Sequence, residues 1–212
     1  MSPLIVVALL ALLLGIQPVT TDVYLPALPA LQADLRGSMS QVQMTFAGLL
    51  LAFGISQLVW GPLSDRFDRR PILLWGMGAY VLASIVCVAS PSMESLILAR
   101  VAQGAAMGAA VMCARAIVRD LYSPLEGAKM MSRGLSGLGV IAVTCTPTGS
   151  LLTDLLHWRG AMAALVLFGI VTLILVALRF QETVPQRNPR ALAPGTLWRS
   201  WVQIARHPTF IT

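Results

Sequence analysis

Five stretches of this chain contain no Asp, Glu, Lys or Arg: residues 1–21, 37–64, 71–93, 134–153 and 160–178. Each is about 19 residues or longer, enough at about 1.5 Å per residue to cross a hydrocarbon layer of about 30 Å. Residues 93–118 add one more apolar segment, interrupted by Glu94, Arg100 and Arg115. The sequence therefore reads as an all-α integral membrane protein, a bundle of six transmembrane helices occupying residues 1–180. The expected spans are 3–24, 41–62, 71–90, 93–118, 131–153 and 160–180. Charged residues make up only 11% of the chain, about half the share of a soluble domain. The first span lacks a basic flank and is too long for a secretory signal, so it is expected to stay as an anchor.

The formal net charge of +6 invites a nucleic-acid reading, but its distribution points elsewhere. Twelve of the fifteen basic residues fall on one side of the spans: Arg66, Arg69, Arg70, Arg115, Arg119, Lys129, Arg133, Arg179, Arg187, Arg190, Arg199 and Arg206. Arg36 and Arg159 fall on the other side, and Arg100 lies within a span. This asymmetry is the positive-inside bias and puts both termini in the cytoplasm. It implies a lipid bilayer as partner and no nucleic acid. Cys87, Cys113 and Cys145 all lie in spans without CxxC spacing or a neighbouring His, so they read as small packing residues, with no metal, cofactor or disulfide.

Short connections are expected at 63–70, 91–92, 119–130 and 154–159, and a longer outer one at 25–40. Residues 181–212 change in composition. Gln181 to Pro194 reads as a linker, and 195–206 as an amphipathic helix on the membrane surface or as ordinary polar linker. The segment from His207 to Thr212 resembles the approach to a further span, so a carboxy-terminal six-helix half is expected as partner. The spans themselves divide into two sets of three. The first and fourth each carry a deep ionisable residue, Asp22 and Arg100, a correspondence that suggests a 3+3 inverted repeat.

An ionisable side chain inside a membrane costs about 2.5–3.5 kcal/mol on insertion scales, so it tends to face a cavity and find a partner. Asp22 reads either as a proton carrier or as an interfacial residue at a helix end. Arg100 reads either as a coupling charge or as a structural hydrogen bonder. Gly104 and Gly108, with Ala102, Ala106 and Ala110, suit close helix packing. Met44, Met77, Met107 and Met112 read as apolar filler or as the lining of an adaptable cavity. After the second span, Gly61 and Pro62 are expected to end the helix and Pro71 to open the next. Asp65 is placed to meet a helix amino-terminus.

The order Gly61-Pro62-Leu63-Ser64-Asp65-Arg66-Phe67-Asp68-Arg69-Arg70 resembles the loop between the second and third spans of the major facilitator superfamily. Leu96, Arg100, Gln103 and Gly104 resemble the proton-coupling motif of that family's drug/proton antiporters. Thr146-Pro147-Thr148-Gly149-Ser150 resembles the antiporter motif of the fifth span. Thr21-Asp22-Val23-Tyr24-Leu25-Pro26 and Ala114-Arg115-Ala116-Ile117-Val118-Arg119-Asp120 are similar to the bicyclomycin/chloramphenicol-resistance subgroup. Two positions depart from the pattern: Asp68 stands where the loop motif has Gly, and Pro147 directly follows Thr146, with Gly149 two positions later.

The resemblance implies proton-coupled export of drug-like small molecules by alternating access, from a bacterial inner membrane. Asp22, Arg100 and Gln103 would serve proton coupling and the substrate cavity. Gly61, Asp65, Arg66, Arg69 and Arg70 would form the gating loop, with Arg115 and Asp120 as its partners. Pro147 and Gly149 would carry the antiporter motif. An uptake porter of the same fold and a truncated six-helix remnant are the alternatives, and the chain alone is expected not to transport. Phosphate loops, nucleophile elbows and metal clusters are absent from the sequence, which speaks against an enzyme.

Overall fold

The computed structural model describes residues 2–183. The expected surface helix at 195–206 lies outside these residues. The described chain is helical almost throughout: α1 (Pro3–Asp22), a short 3₁₀ turn (Leu25–Ala27), α2 (Leu28–Asp34), α3 (Met39–Phe67), α4 (Arg69–Ala89), α5 (Met93–Leu121) and α6 (Pro124–Arg179). Among the described residues, five helical segments are long and apolar enough to cross a membrane. In lipid no water satisfies a backbone N–H, so these apolar runs must pair internally, and the helix does this within one segment. The starts are written locally. Ser38 and Gln41 form a capping box at α3, as do Ser92 and Ser95 at α5. Pro3 and Pro124 open α1 and α6, where the missing N–H costs nothing.

At 56 residues, a straight α6 would be about 84 Å long, far beyond one bilayer. It contains one non-helical residue, His157, with φ 58° and ψ −177°. Around it the chain turns sharply: a Cβ placed on Gly160 would lie 3.1 Å from the carbonyl oxygen of Leu152, eight positions earlier.

The connections are tighter than the sequence suggested. Gly61 and Pro62 do not end α3, which continues to Phe67. A membrane helix tolerates an internal proline because neighbouring groups take up the freed carbonyl, and Gly61 is buried against Met112. Pro71 is the third residue of α4 rather than the first. The expected inner loop at 119–130 shrinks to Tyr122 and Ser123, and the outer connection at 25–40 is largely helical.

Asp68 alone joins α3 to α4, with φ 74° and ψ 157°. That region is essentially reserved for glycine and costs another residue about 1–3 kcal/mol. The family motif has Gly here, and the backbone shows why. Asp68→Gly is expected to raise the thermal unfolding temperature in detergent, with Asp68→Asn gaining less. An unchanged or lowered midpoint for the glycine variant would contradict the strain.

The centre of the bundle is α5, which packs on α1, α3 and α4, while α6 packs on α1 and α4. Two apolar clusters fill the interior. One joins Leu10, Leu13, Leu73, Met77, Met107 and Ile117. The other joins Val19, Leu31, Cys87, Leu96, Trp158 and Leu165. Along α1, α4 and α5 the clusters meet at Thr20, Ser84, Arg100 and Gln103, so a polar layer is sandwiched between two apolar ones. At one end of the bundle, Asp34 accepts hydrogen bonds from Trp158 Nε1 at 2.8 Å and Arg159 at 2.7 Å, tying α2 to the bend of α6.

Candidate functional site

Arg100 lies in the polar layer and is completely buried. One guanidinium nitrogen donates to Gln103 Oε1 at 2.7 Å, and the other terminal nitrogen donates to the Thr20 carbonyl at 3.2 Å. The guanidinium lies over the Tyr24 ring, 4.1 Å from its centre. Nε has no hydrogen-bond partner among the described residues. Arg100 and Gln103 stand three apart on α5, which puts them on one face of the helix. Thr20 is among the last residues of α1, where carbonyls lack an intrahelical donor and the helix dipole favours a cation. The guanidinium therefore acts as a cap supplied by another helix.

Hydroxyl groups extend this layer. Gln103 Nε2 donates to Ser84 Oγ at 2.7 Å, and Ser84 Oγ donates to the Tyr80 carbonyl at 2.7 Å. The Tyr80 hydroxyl and Thr20 Oγ1 are 2.7 Å apart, and the Tyr24 hydroxyl and Thr45 Oγ1 are 2.5 Å apart. Four helices are thus bound through one buried network around a single cation. Asp22 is half-buried and accepts a hydrogen bond from Thr21 Oγ1 at 2.7 Å. The structure does not bring it to Arg100: among the described residues no ion pair includes either group. Gln103 was found from sequence, whereas the roles of Thr20, Tyr24, Thr45, Tyr80 and Ser84 were not. Tyr80 and Ser84, four apart in an otherwise apolar span, were the available signal.

A second cluster sits at the opposite end of the bundle. Arg69, only 3% exposed, pairs with Asp65 at 2.7 Å and with Asp120 at 3.0 Å. It also donates to Ser64 Oγ at 2.6 Å. Asp65 thus meets the Arg69 side chain, while the amides at the start of α4 that it was expected to face donate to Glu182. Arg119 approaches Asp65 at 3.5 Å and Asp120 at 3.8 Å. Arg115, paired with the loop in the sequence reading, is exposed and makes no ion pair among the described residues; Arg119, one turn on, reaches the loop instead. Arg66 is exposed, with its guanidinium 5.2 Å from the centre of the Phe67 ring.

Glu182 was missed altogether. Its two carboxylate oxygens accept from the backbone N–H groups of Arg69 and Arg70, each at 3.0 Å. In return Arg70 donates to the Ala177 carbonyl at 3.0 Å. An acid caps the start of α4 and a base caps the end of α6, and each charge suits the helix end it meets. Glu182 is 113 residues from Arg69, so no local pattern reveals the pairing.

Pro147 is exposed on α6, whereas Gly149 is buried. A Cβ on Gly149 would collide with the backbone of Val23 at the end of α1. The motif glycine is thus a point of direct helix-to-backbone contact, beside Asp22.

Comparison with known proteins agrees with this architecture. Residues 10–212 match the family model for the Major Facilitator Superfamily. The chain is 32% identical over 205 residues to the uncharacterized MFS-type transporter YdgK of Bacillus subtilis, covering 96% of this chain and 51% of that protein. It is 36% identical over 168 residues to the chloramphenicol resistance protein of Pseudomonas aeruginosa, covering 78% and 40%. The chain spans about half the length of the curated relatives it matches. Among solved structures, the proton:xylose symporter XylE aligns with a TM-score of 0.76 at 16% identity, over 97% of this chain and 52% of that one. The chain therefore belongs to the major facilitator superfamily, as a multi-pass membrane protein.

Proposed function

We propose that the chain is one six-span half of a proton-coupled exporter of drug-like small molecules, working by alternating access in a bacterial inner membrane with both termini cytoplasmic. The bend at His157 would divide α6 into the fifth and sixth spans. Helix packing supports a 3+3 inverted repeat. The first span lies directly on the fifth, with Gly134 against Leu10 and Gly149 against Val23; the fourth lies on the second, with Gly104 against Leu49 and Gly108 against Ser56. Exchanging the two triplets maps one pair onto the other.

The observation that carries the reading is Arg100, a fully buried cation held by neutral groups alone among the described residues. A charge so placed is expensive and marks a functional region. Asp22, the acidic residue at the end of α1, would be the carboxylate that carries the proton. The relative named for chloramphenicol resistance supports a small-molecule cargo and outward transport. Substrate and proton would exchange at a site shared with a second six-span domain.

Everted vesicles test this with acridine orange as the pH-gradient reporter and chloramphenicol as the cargo. The chain is produced alone or with the carboxy-terminal half of the Pseudomonas relative, and assembly is verified by co-purification. Chloramphenicol should collapse the gradient only when both halves are present, and Asp22→Asn should abolish the collapse. An assembled pair that leaves the gradient unchanged would overturn the reading.

A further inference from the structure

We propose that the groove between the inner ends of α5 and α6 binds one anionic phospholipid, with its phosphate on Arg115 and Arg119. The groove is a cavity of about 470 Å³ between the last two turns of α5 and the first two of α6. Arg115 and Arg119 stand four apart, so both guanidinium groups reach the same side of α5. Val118 and Met131 give the groove an apolar floor, and Tyr122 adds a hydroxyl with no hydrogen bond among the described residues. Gly127 lets the two helices approach, since a Cβ there would lie 3.2 Å from Val118.

Charge selects the occupant. Asp65 and Asp120 face Arg69 and Arg119, two acids against two bases. Arg115 is left over, exposed and without an ion pair among the described residues. On the α6 side the lining residues Pro124, Gly127, Ala128 and Met131 carry no charge, so no acid in the groove offsets Arg115. The groove therefore presents positive charge that needs an anion. Depth selects a lipid rather than a soluble anion. Arg115 lies six residues before the end of α5, about 9 Å along its axis. Long arginines at that level reach the headgroup layer, and basic pockets between membrane helices hold anionic headgroups there. The apolar floor suits the first acyl carbons. The site needs only a membrane boundary, so it stands apart from the transport reading.

Native mass spectrometry of the purified chain, released from phosphatidylcholine nanodiscs containing phosphatidylglycerol, tests the proposal. Wild type should retain one phosphatidylglycerol with about fivefold preference over phosphatidylcholine for each arginine engaged. Arg115→Gln should reduce that preference about fivefold, with an unchanged thermal midpoint because the side chain makes no ion pair. Arg133→Gln removes the same charge outside the groove and should keep the lipid. Equal retention of the two lipids by wild type would overturn the proposal. So would full retention by Arg115→Gln, or an equal loss in Arg133→Gln, which would show diffuse attraction instead of a site.

Discussion

Replacing Gly104 by valine is expected to be among the most damaging single changes in this chain, lowering stability by about 3 kcal/mol or more. A Cβ at this position would overlap the backbone carbonyl and Cα of Leu49 on α3. A flexible side chain could move aside; a helix backbone cannot without carrying its neighbours. Lipid tails are as apolar as leucine, so helix association here depends on close packing rather than on removing surface from water. Widening the α3–α5 contact therefore removes what holds those helices together. Thermal unfolding in detergent should show a large drop and a reduced monodisperse fraction. Gly104→Ala should already be impaired. Gly78 is the internal control: a Cβ there meets nothing within 4 Å. Gly78→Ala should be neutral or stabilising by up to about 1 kcal/mol, since alanine is the better helix former. A Gly104→Val chain as stable as wild type would show that the helices are not in such close contact.

Arg100→Leu is expected to give the second large effect. It removes the guanidinium donor from the Thr20 carbonyl and leaves Gln103 Oε1 only the weak Cys87 thiol donor at 3.9 Å. Each buried acceptor so deprived costs about 1–3 kcal/mol. Removing a charge from the bilayer does not offset this when the unfolded reference is a set of helices still inserted. Even so, inserting the fourth span should become easier, by about 2.5–3.5 kcal/mol on insertion scales. The two readouts therefore move in opposite directions: insertion improves while the thermal midpoint falls. Arg100→Lys should be intermediate, because an ammonium keeps the charge but cannot spread donors across both acceptors as the planar fork does. A leucine variant that melts at or above the wild-type temperature would show that the network contributes no stability.

The degree to which each feature could be read in advance follows the range of its cause. Gln103 was legible because it lies one turn from Arg100. Asp65 was named in the loop motif, but its pairing with Arg69 one turn on appears only because α3 continues to Phe67. Glu182 was not, since its partners are the backbone amides of Arg69 and Arg70, over a hundred positions away. The sequence reading gave Arg115, and not Arg119, as a partner of the loop. Only the packing of α5 decides that Arg119 reaches Asp65 while Arg115 makes no ion pair among the described residues. Pro62 misled for a similar reason. A proline in water ends a helix far more often than one packed among other membrane helices.

By itself, the sequence determined that this chain must enter a membrane as helices, because uncharged runs of bilayer length leave the backbone no other way to satisfy its hydrogen bonds. It also determined the order of the family's motifs along those helices, and marked Asp68 as a position where the resembled motif has glycine. Which helices touch was decided only by the tertiary structure. An all-round apolar helix carries little information about its neighbours when lipid competes equally well for every face. The contacts were settled by close packing at Gly104 and Gly149, and by a buried guanidinium that finds its acceptors on α1 and α5, far apart in sequence but adjacent in the bundle.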